Sequence, residues 1–277
     1  MSRLLPYCLT LMTLICPGLM ADELKLPALF ADHMVLQRDQ ELKVWGQAKA
    51  GQLIEVELAQ SKTNVKADAK GSWLATLKPQ AAGGPYQLKI STNDKALSFA
   101  DVWLGDVWVA SGQSNMEWKL GAETEHWQQE VQDSQLPQIR FYTLPKTLSA
   151  LPDQPVPVAS WIKASPDTVA EFSAIAWFFA KQNHLQKGVA VGVIDATWGG
   201  TAAEAWTPAQ ALLTVPGYEK DAADMLAQPE LWQQRIQENQ QKDLVKWQLI
   251  GSNSGVEQLL KSIPVRLKAA RLRVLGI

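Results

Sequence analysis

The sequence predicts an α/β fold behind a small antiparallel β-sandwich, and three observations predict it. Up to about Phe99, apolar and polar residues alternate in short runs separated by turns. After Asp101 the runs are apolar throughout, as in strands covered on both faces. Between two of these later runs lies a single amphipathic, helix-length segment, the pattern of a βαβ crossover and hence of a parallel sheet.

In the first region, Glu41 to Trp45 and Leu53 to Leu58 have the period of half-buried strands. A turn at Asp68-Ala69-Lys70-Gly71 precedes a strand from Ser72 to Leu77, and Gly83-Gly84-Pro85 reads as a turn before Tyr86 to Ile90. No helical period appears there, which favours the sandwich. In the second region, Val102 to Leu104, Val107 to Ala110, Ile139 to Tyr142 and Val189 to Ile194 read as strands. Ser165-Pro166 is expected to open the crossover helix, with Val169, Phe172, Ala176 and Phe179 on one face and Gly188 at its end. Pro145 to Pro157, with four prolines, reads as a surface connection, and the Gln-rich chain beyond Gly217 as helical.

The chain of 277 residues, 47% of them hydrophobic, is long enough for a large domain or two ordinary ones. Its 26 basic and 28 acidic residues give no basic excess, so a nucleic-acid partner is not expected. Residues 1–21 read as a signal peptide: Arg3, an apolar run from Leu4 to Leu19, then Ala21 as a small cleavage residue. The run is short for a bilayer span, so no stable membrane span is expected after cleavage; a membrane anchor is the alternative. The protein is therefore expected to be exported, periplasmic or secreted. Both cysteines, Cys8 and Cys16, fall inside that segment, which removes disulfides and thiolate catalysis from the mature chain. With three histidines and no H-E-x-x-H pair, no protein-built metal site is expected.

Ser111-Gly112-Gln113-Ser114-Asn115-Met116-Glu117 follows the Val107 strand directly. A serine at a strand-to-helix junction projects from the carboxyl edge of a sheet, where its own N–H and a helix dipole favour negative charge. Ser114-x-x-Glu117 is equally a capping box, which needs no catalysis. Met116 stands where the G-x-S-x-G elbow would have its last glycine. A second junction, Asp195-Ala196-Thr197-Trp198-Gly199-Gly200-Thr201, leaves glycine N–H groups open to a ligand; it too can be read plainly, as a tight turn before a Thr201-x-x-Glu204 box. Both junctions lie at the carboxyl ends of parallel strands, where open α/β sheets place their sites.

Gly112-Gln113-Ser114-Asn115-Met116 resembles the nucleophile block of the SGNH (GDSL-like) hydrolases, in the version carried by the sialate O-acetylesterase family. Phe30-Ala31-Asp32-His33-Met34-Val35-Leu36-Gln37-Arg38, Gly105-Asp106-Val107-Trp108 and Trp198 to Trp206 are similar to further stretches of that family. The resemblance implies a flavodoxin-like three-layer sheet and a serine esterase that removes acetyl groups from sugar hydroxyls, without metal or organic cofactor. Ser114 would be the nucleophile. The N–H groups of Ser114 and of Gly199 or Gly200 would line the oxyanion hole, Gln113 and Asn115 would support the loop, and the partner would be an O-acetylated sugar. Trp198, beside the glycines, is the aromatic side chain best placed to stack on it.

A serine needs an imidazole to take its proton and a carboxylate to orient that imidazole. The family's Asp-x-x-His block does not occur here. Glu123-x-x-His126 mimics its spacing close to Ser114, His184 falls at a helix end, and His33 lies in the β-region. The tail from 251 to 277 has no acidic residue after Glu257 but holds Lys261, Arg266, Lys268, Arg271 and Arg273. It reads either as a divergent end to a truncated chain or as a basic amphipathic helix. The expected division is therefore 1–21 signal peptide, 22–100 β-sandwich, 101–250 an incomplete SGNH-like α/β domain and 251–277 basic tail. An incomplete sheet should leave apolar edges and faces uncovered. The competing function is a non-catalytic carbohydrate-binding module or an inactive remnant.

Overall fold

The computed structural model describes residues 24–123, 126–150 and 158–250, so the signal segment and the basic tail lie outside the described residues. Ten strands are described: β1 Val35–Gln37, β2 Leu42–Gln47, β3 Leu53–Leu58, β4 Ser61–Lys66, β5 Ser72–Leu77, β6 Gly83–Ser91, β7 Ala96–Gly112, β8 Ile139–Thr143, β9 Trp161–Lys163 and β10 Ala190–Thr197. The helices among them are α1 Ser114–Glu117, α2 Leu120–Glu123, α3 Trp127–Gln132, α4 Ala174–Lys187, α5 Ala209–Leu212, α6 Glu219–Ala227 and α7 Pro229–Ile250.

Seven strands pair in the order β4-β3-β6-β7-β10-β8-β9, β1 joins the same sheet beside β7, and β2 and β5 form a separate antiparallel pair. β10 is parallel to β7 on one side and to β8 on the other, with α4 between β8 and β10 in sequence, so the expected crossover is present. β7 is the hinge of the architecture. Its first half pairs antiparallel with β6, and its second half, from Gly105 to Gly112, pairs with β10. The expected boundary at residue 100 therefore falls inside one continuous strand. β8 turns Phe141 toward one core, with Phe172 stacked on it at 4.2 Å, and Tyr142 toward the other, beside Trp161. Burial on both faces of one strand joins the two regions.

Several expectations change. The two runs Val102–Leu104 and Val107–Ala110 are one strand, and it is not covered throughout: Val102 and Leu104 are buried, whereas Trp108 and Val109 are exposed. β1 reaches only to Gly105 and β6 only to Leu104, so residues 108–112 of β7 have a strand on one edge and none on the other among the described residues. Gly83-Gly84-Pro85 is not a turn but the start of β6, at a register shift against β7. The crossover helix starts at Ser173, whose hydroxyl accepts from the Ala176 N–H, and not at Ser165. Thr168 Oγ1 donates to the Lys163 carbonyl and accepts the Ser165 N–H, which closes a separate turn, and Phe172 is extended. As a result α4 buries Ala174, Ala176, Trp177 and Ala180, while Phe179 is exposed. Gly188 ends α4 in the left-handed conformation (φ 65°), as expected of a C-cap glycine.

Candidate active site

Pairing aligns the two junctions. Gly112 at the end of β7 stands opposite Thr197 at the end of β10, and the Trp198 N–H donates to the Gly112 carbonyl at 3.0 Å. Parallel strands in this register must deliver both following loops to the same edge of the sheet. A Cβ built on Gly199 would lie 3.5 Å from Ser114 Oγ and 2.7 Å from a carboxylate oxygen of Glu117. The Trp198-Gly199 turn thus sits against the serine, and residue 199 has no room for a side chain unless Glu117 moves.

Ser114 is exposed, at the first position of a helix of four residues. So short a helix supplies little dipole, and that part of the expectation is not met. The side chain of Gln113 does the local work: its Oε1 accepts from the Ser114 N–H at 2.9 Å and from the Ser114 hydroxyl at 2.7 Å. Asn115 is exposed beside it. Neither plain reading of the junctions as capping boxes describes the structure. The Glu117 carboxylate does not reach back to cap; it accepts from the Gly199 N–H and pairs with the Lys146 ammonium. Lys146 also stands 5.9 Å over the Trp198 ring. At the second junction Thr201 Oγ1 donates to the Trp198 carbonyl at 2.7 Å and accepts from the Trp206 indole at 2.8 Å. Gly200 is exposed and left-handed (φ 77°). In this conformation the N–H groups of Ser114 and Gly199 therefore both face protein acceptors.

Two carboxylates at this end of the sheet titrate in opposite directions. Burial raises the pKa of Glu117, but the Lys146 ammonium and the Gly199 N–H outweigh it and hold the carboxyl below its ordinary value. Asp195, at the end of β10 and 4% exposed, goes the other way. Burial pushes its pKa up and the Glu117 charge adds to the rise, against hydrogen bonds from Thr197 and Thr143. Glu117, Lys146 and Asp195 were not singled out from the sequence as site residues. Lys146 arrives because the Leu144 N–H donates to the Asp195 carbonyl at 2.9 Å, which carries the segment after β8 past the end of β10.

The histidines do not complete a triad. His33 Nδ1 pairs with Asp101 at 2.7 Å and His184 Nδ1 donates to the Val189 carbonyl at 2.7 Å, both toward the amino ends of the parallel strands. His126 is exposed, before the first residue of α3 (φ 59°). A groove of about 230 Å³ does adjoin α1, but Trp108, Val109, Met116, Ile175 and Phe179 line it, not Ser114. Trp108 and Phe179 meet edge to face in it at 5.0 Å. Among the described residues no helix is long and apolar enough to cross a membrane.

Residues 104–245, just over half of the chain, match the family described as carbohydrate esterase, sialic acid-specific acetylesterase. The chain belongs to this family. Sialate O-acetylesterase of Rattus norvegicus is 28% identical over 72% of the chain, and that of Mus musculus 26% identical over 80%. A crystal structure of a carbohydrate acetylesterase from Xanthomonas citri superposes with a TM-score of 0.67 at 40% identity, covering 70% of this chain. The chain spans 40% of the rat protein, 44% of the mouse protein and 44% of the Xanthomonas citri chain. The match includes both junctions, so the serine and the Gly199 turn lie in the family's own segment and not in a flanking one.

Proposed function

We propose that this chain carries the nucleophile-bearing part of an exported serine esterase that removes O-acetyl groups from carbohydrates, sialic acid or another acetylated glycan. Ser114 attacks the acetyl carbonyl, and the N–H groups of Ser114 and of Gly199 or Gly200 receive the charge that develops on its oxygen. The observation that carries the reading is the placement of an exposed serine hydroxyl against the Gly199 turn at the carboxyl edge of parallel strands. Trp198 lies beside both and is the aromatic face for the sugar ring. The three-layer flavodoxin-like sheet, preceded by a β-sandwich, belongs to the same proposal.

The proton acceptor and its carboxylate partner come, in this reading, from the part of the relatives' length that the chain does not span. Three facts support a contribution from that part. The chain spans less than half the length of its relatives. Ser114 Oγ donates to Gln113 and not to an imidazole. Among the described residues the end of β7 has an open edge beside exposed Trp108 and Val109, where a sheet of this kind adds strands. The test is a chimera that joins the remaining C-terminal region of the Xanthomonas citri acetylesterase to residue 245. It should hydrolyse p-nitrophenyl acetate where this chain alone does so slowly or not at all. A chimera that folds but binds acetylated and plain glycans equally, without turnover, supports the binding-module alternative.

A further inference from the structure

The Gly199 N–H belongs to the turn that faces Ser114 Oγ, and it is already in use. Its acceptor is Glu117, three residues beyond the serine on the same short helix, and Glu117 is also paired with Lys146. We infer that Glu117 gates the serine site: its carboxylate holds the Gly199 N–H closed, and an ester oxygen must displace it toward Lys146 before that N–H can stabilise negative charge. The inference rests on the esterase reading given above.

Three features favour a gate over a fixed strut. A carboxylate has two oxygens, and here each has its own partner, so releasing Gly199 does not leave the charge unpaired. Lys146 itself is nearly half-exposed, at 46%, and stands over the Trp198 ring, so it can follow the carboxylate outward. The released oxygen also vacates the space in front of Gly199, because it lies 2.7 Å from where a Cβ would stand, and Ser114 Oγ faces the same point at 3.5 Å. One movement therefore frees the donor and the room for the acetyl carbonyl. A strut would predict that removing the carboxylate loosens the site and weakens anything that binds there. A gate predicts a gain.

The probe is methylboronic acid, which needs no protein base to bind. A B–O bond forms with Ser114 Oγ, the hydroxyl proton goes to the buffer, and boron becomes a tetrahedral anion shaped like the acetyl-transfer intermediate. Titration of this chain, followed by the boron resonance, should give a boronate affinity about tenfold tighter in Glu117→Ala than in the unsubstituted protein, the scale of one lost charge-assisted hydrogen bond. Glu117→Gln, which preserves shape and weakens the acceptor, should move in the same direction by less. Ser114→Ala should abolish binding in every background. Affinity that is equal or weaker in both Glu117 variants, with binding still dependent on Ser114, overturns the gate and leaves the esterase reading standing. Binding independent of Ser114 in all variants overturns the esterase reading and the gate with it.

Discussion

The amino and carboxyl ends of the parallel strands are built from equally recognisable sequence, yet they hold their buried aspartates in opposite ways. At the amino end, Asp101 accepts from Arg140 at 3.0 Å, Lys163 at 2.8 Å and Trp103 at 3.0 Å, besides His33. Asp106, 7% exposed, pairs with Arg38 at 2.7 Å and Lys187 at 2.8 Å. Burial pushes both pKa values up, but the cations outweigh it and both end below the ordinary aspartate value. At the carboxyl end, Asp195 has threonines for partners and its pKa is raised. The Phe30–Arg38 and Gly105–Trp108 stretches that looked like the family are thus mortar. Gln37 accepts the Val107 N–H, Arg38 grips Asp106, and the antiparallel and parallel regions are fastened together. The Gly112–Met116 and Trp198–Trp206 stretches form the rim at which the proposed chemistry would take place. A specific motif marks a demanding position, and only its surroundings say whether the demand is structural or chemical.

The contrast can be broken most severely at Arg140. Arg140 is 2% exposed, and its guanidinium also donates to the carbonyls of His33 and Asp101. Arg140→Leu should cost about 3–5 kcal/mol, because it strands buried acceptors, read as a lower midpoint in urea unfolding. A rim substitution should instead spare stability and strike turnover. Gly199→Ala in the chimera is expected to lower kcat/KM for p-nitrophenyl acetate by about a hundredfold, as the methyl occupies the carbonyl's space, with a change in stability under about 1 kcal/mol.

Smaller effects test the opposite signs of titration. Asp106 has a lowered folded pKa, so its stabilisation is fully present above the ordinary value of 3.8 and is lost as pH falls through the folded value. Asp106→Asn should therefore cost about 1–2 kcal/mol at pH 7, and the difference should shrink below pH 3.8 when unfolding curves are compared. Asp195 has a raised folded pKa, so its favourable contribution exists below 3.8 and disappears as pH rises through the folded value. Asp195→Asn should leave stability at neutral pH unchanged or higher by under about 1 kcal/mol, and a clear loss there would refute the assignment.

The legible parts of the fold were those whose signal is local. β3 and β5 span the residues their alternation marks, since one face of each is buried. β4 was missed because Ser61 to Lys66 is almost wholly polar and its place is set by pairing with β3. Proline after Ser165 pointed to a helix start eight residues early, because Thr168 uses the same capping chemistry to close a turn. Ser114, Gly199 and Trp198 were legible as motif positions. Glu117 was legible only as a cap, since its partners lie 29 and 82 residues away, and no local pattern encodes a contact of that range. Asp195 opened the second junction in the sequence without drawing notice, because its burial and its hydrogen bond from Thr143 of a neighbouring strand arise only in the fold.

The nucleophile is tested most directly by Ser114→Ala in the chimera. With unfolding midpoints matched, turnover of p-nitrophenyl acetate should fall by at least about a thousandfold. Turnover that survives the loss of this one hydroxyl would mean that the rim of the sheet is not where the ester is cleaved.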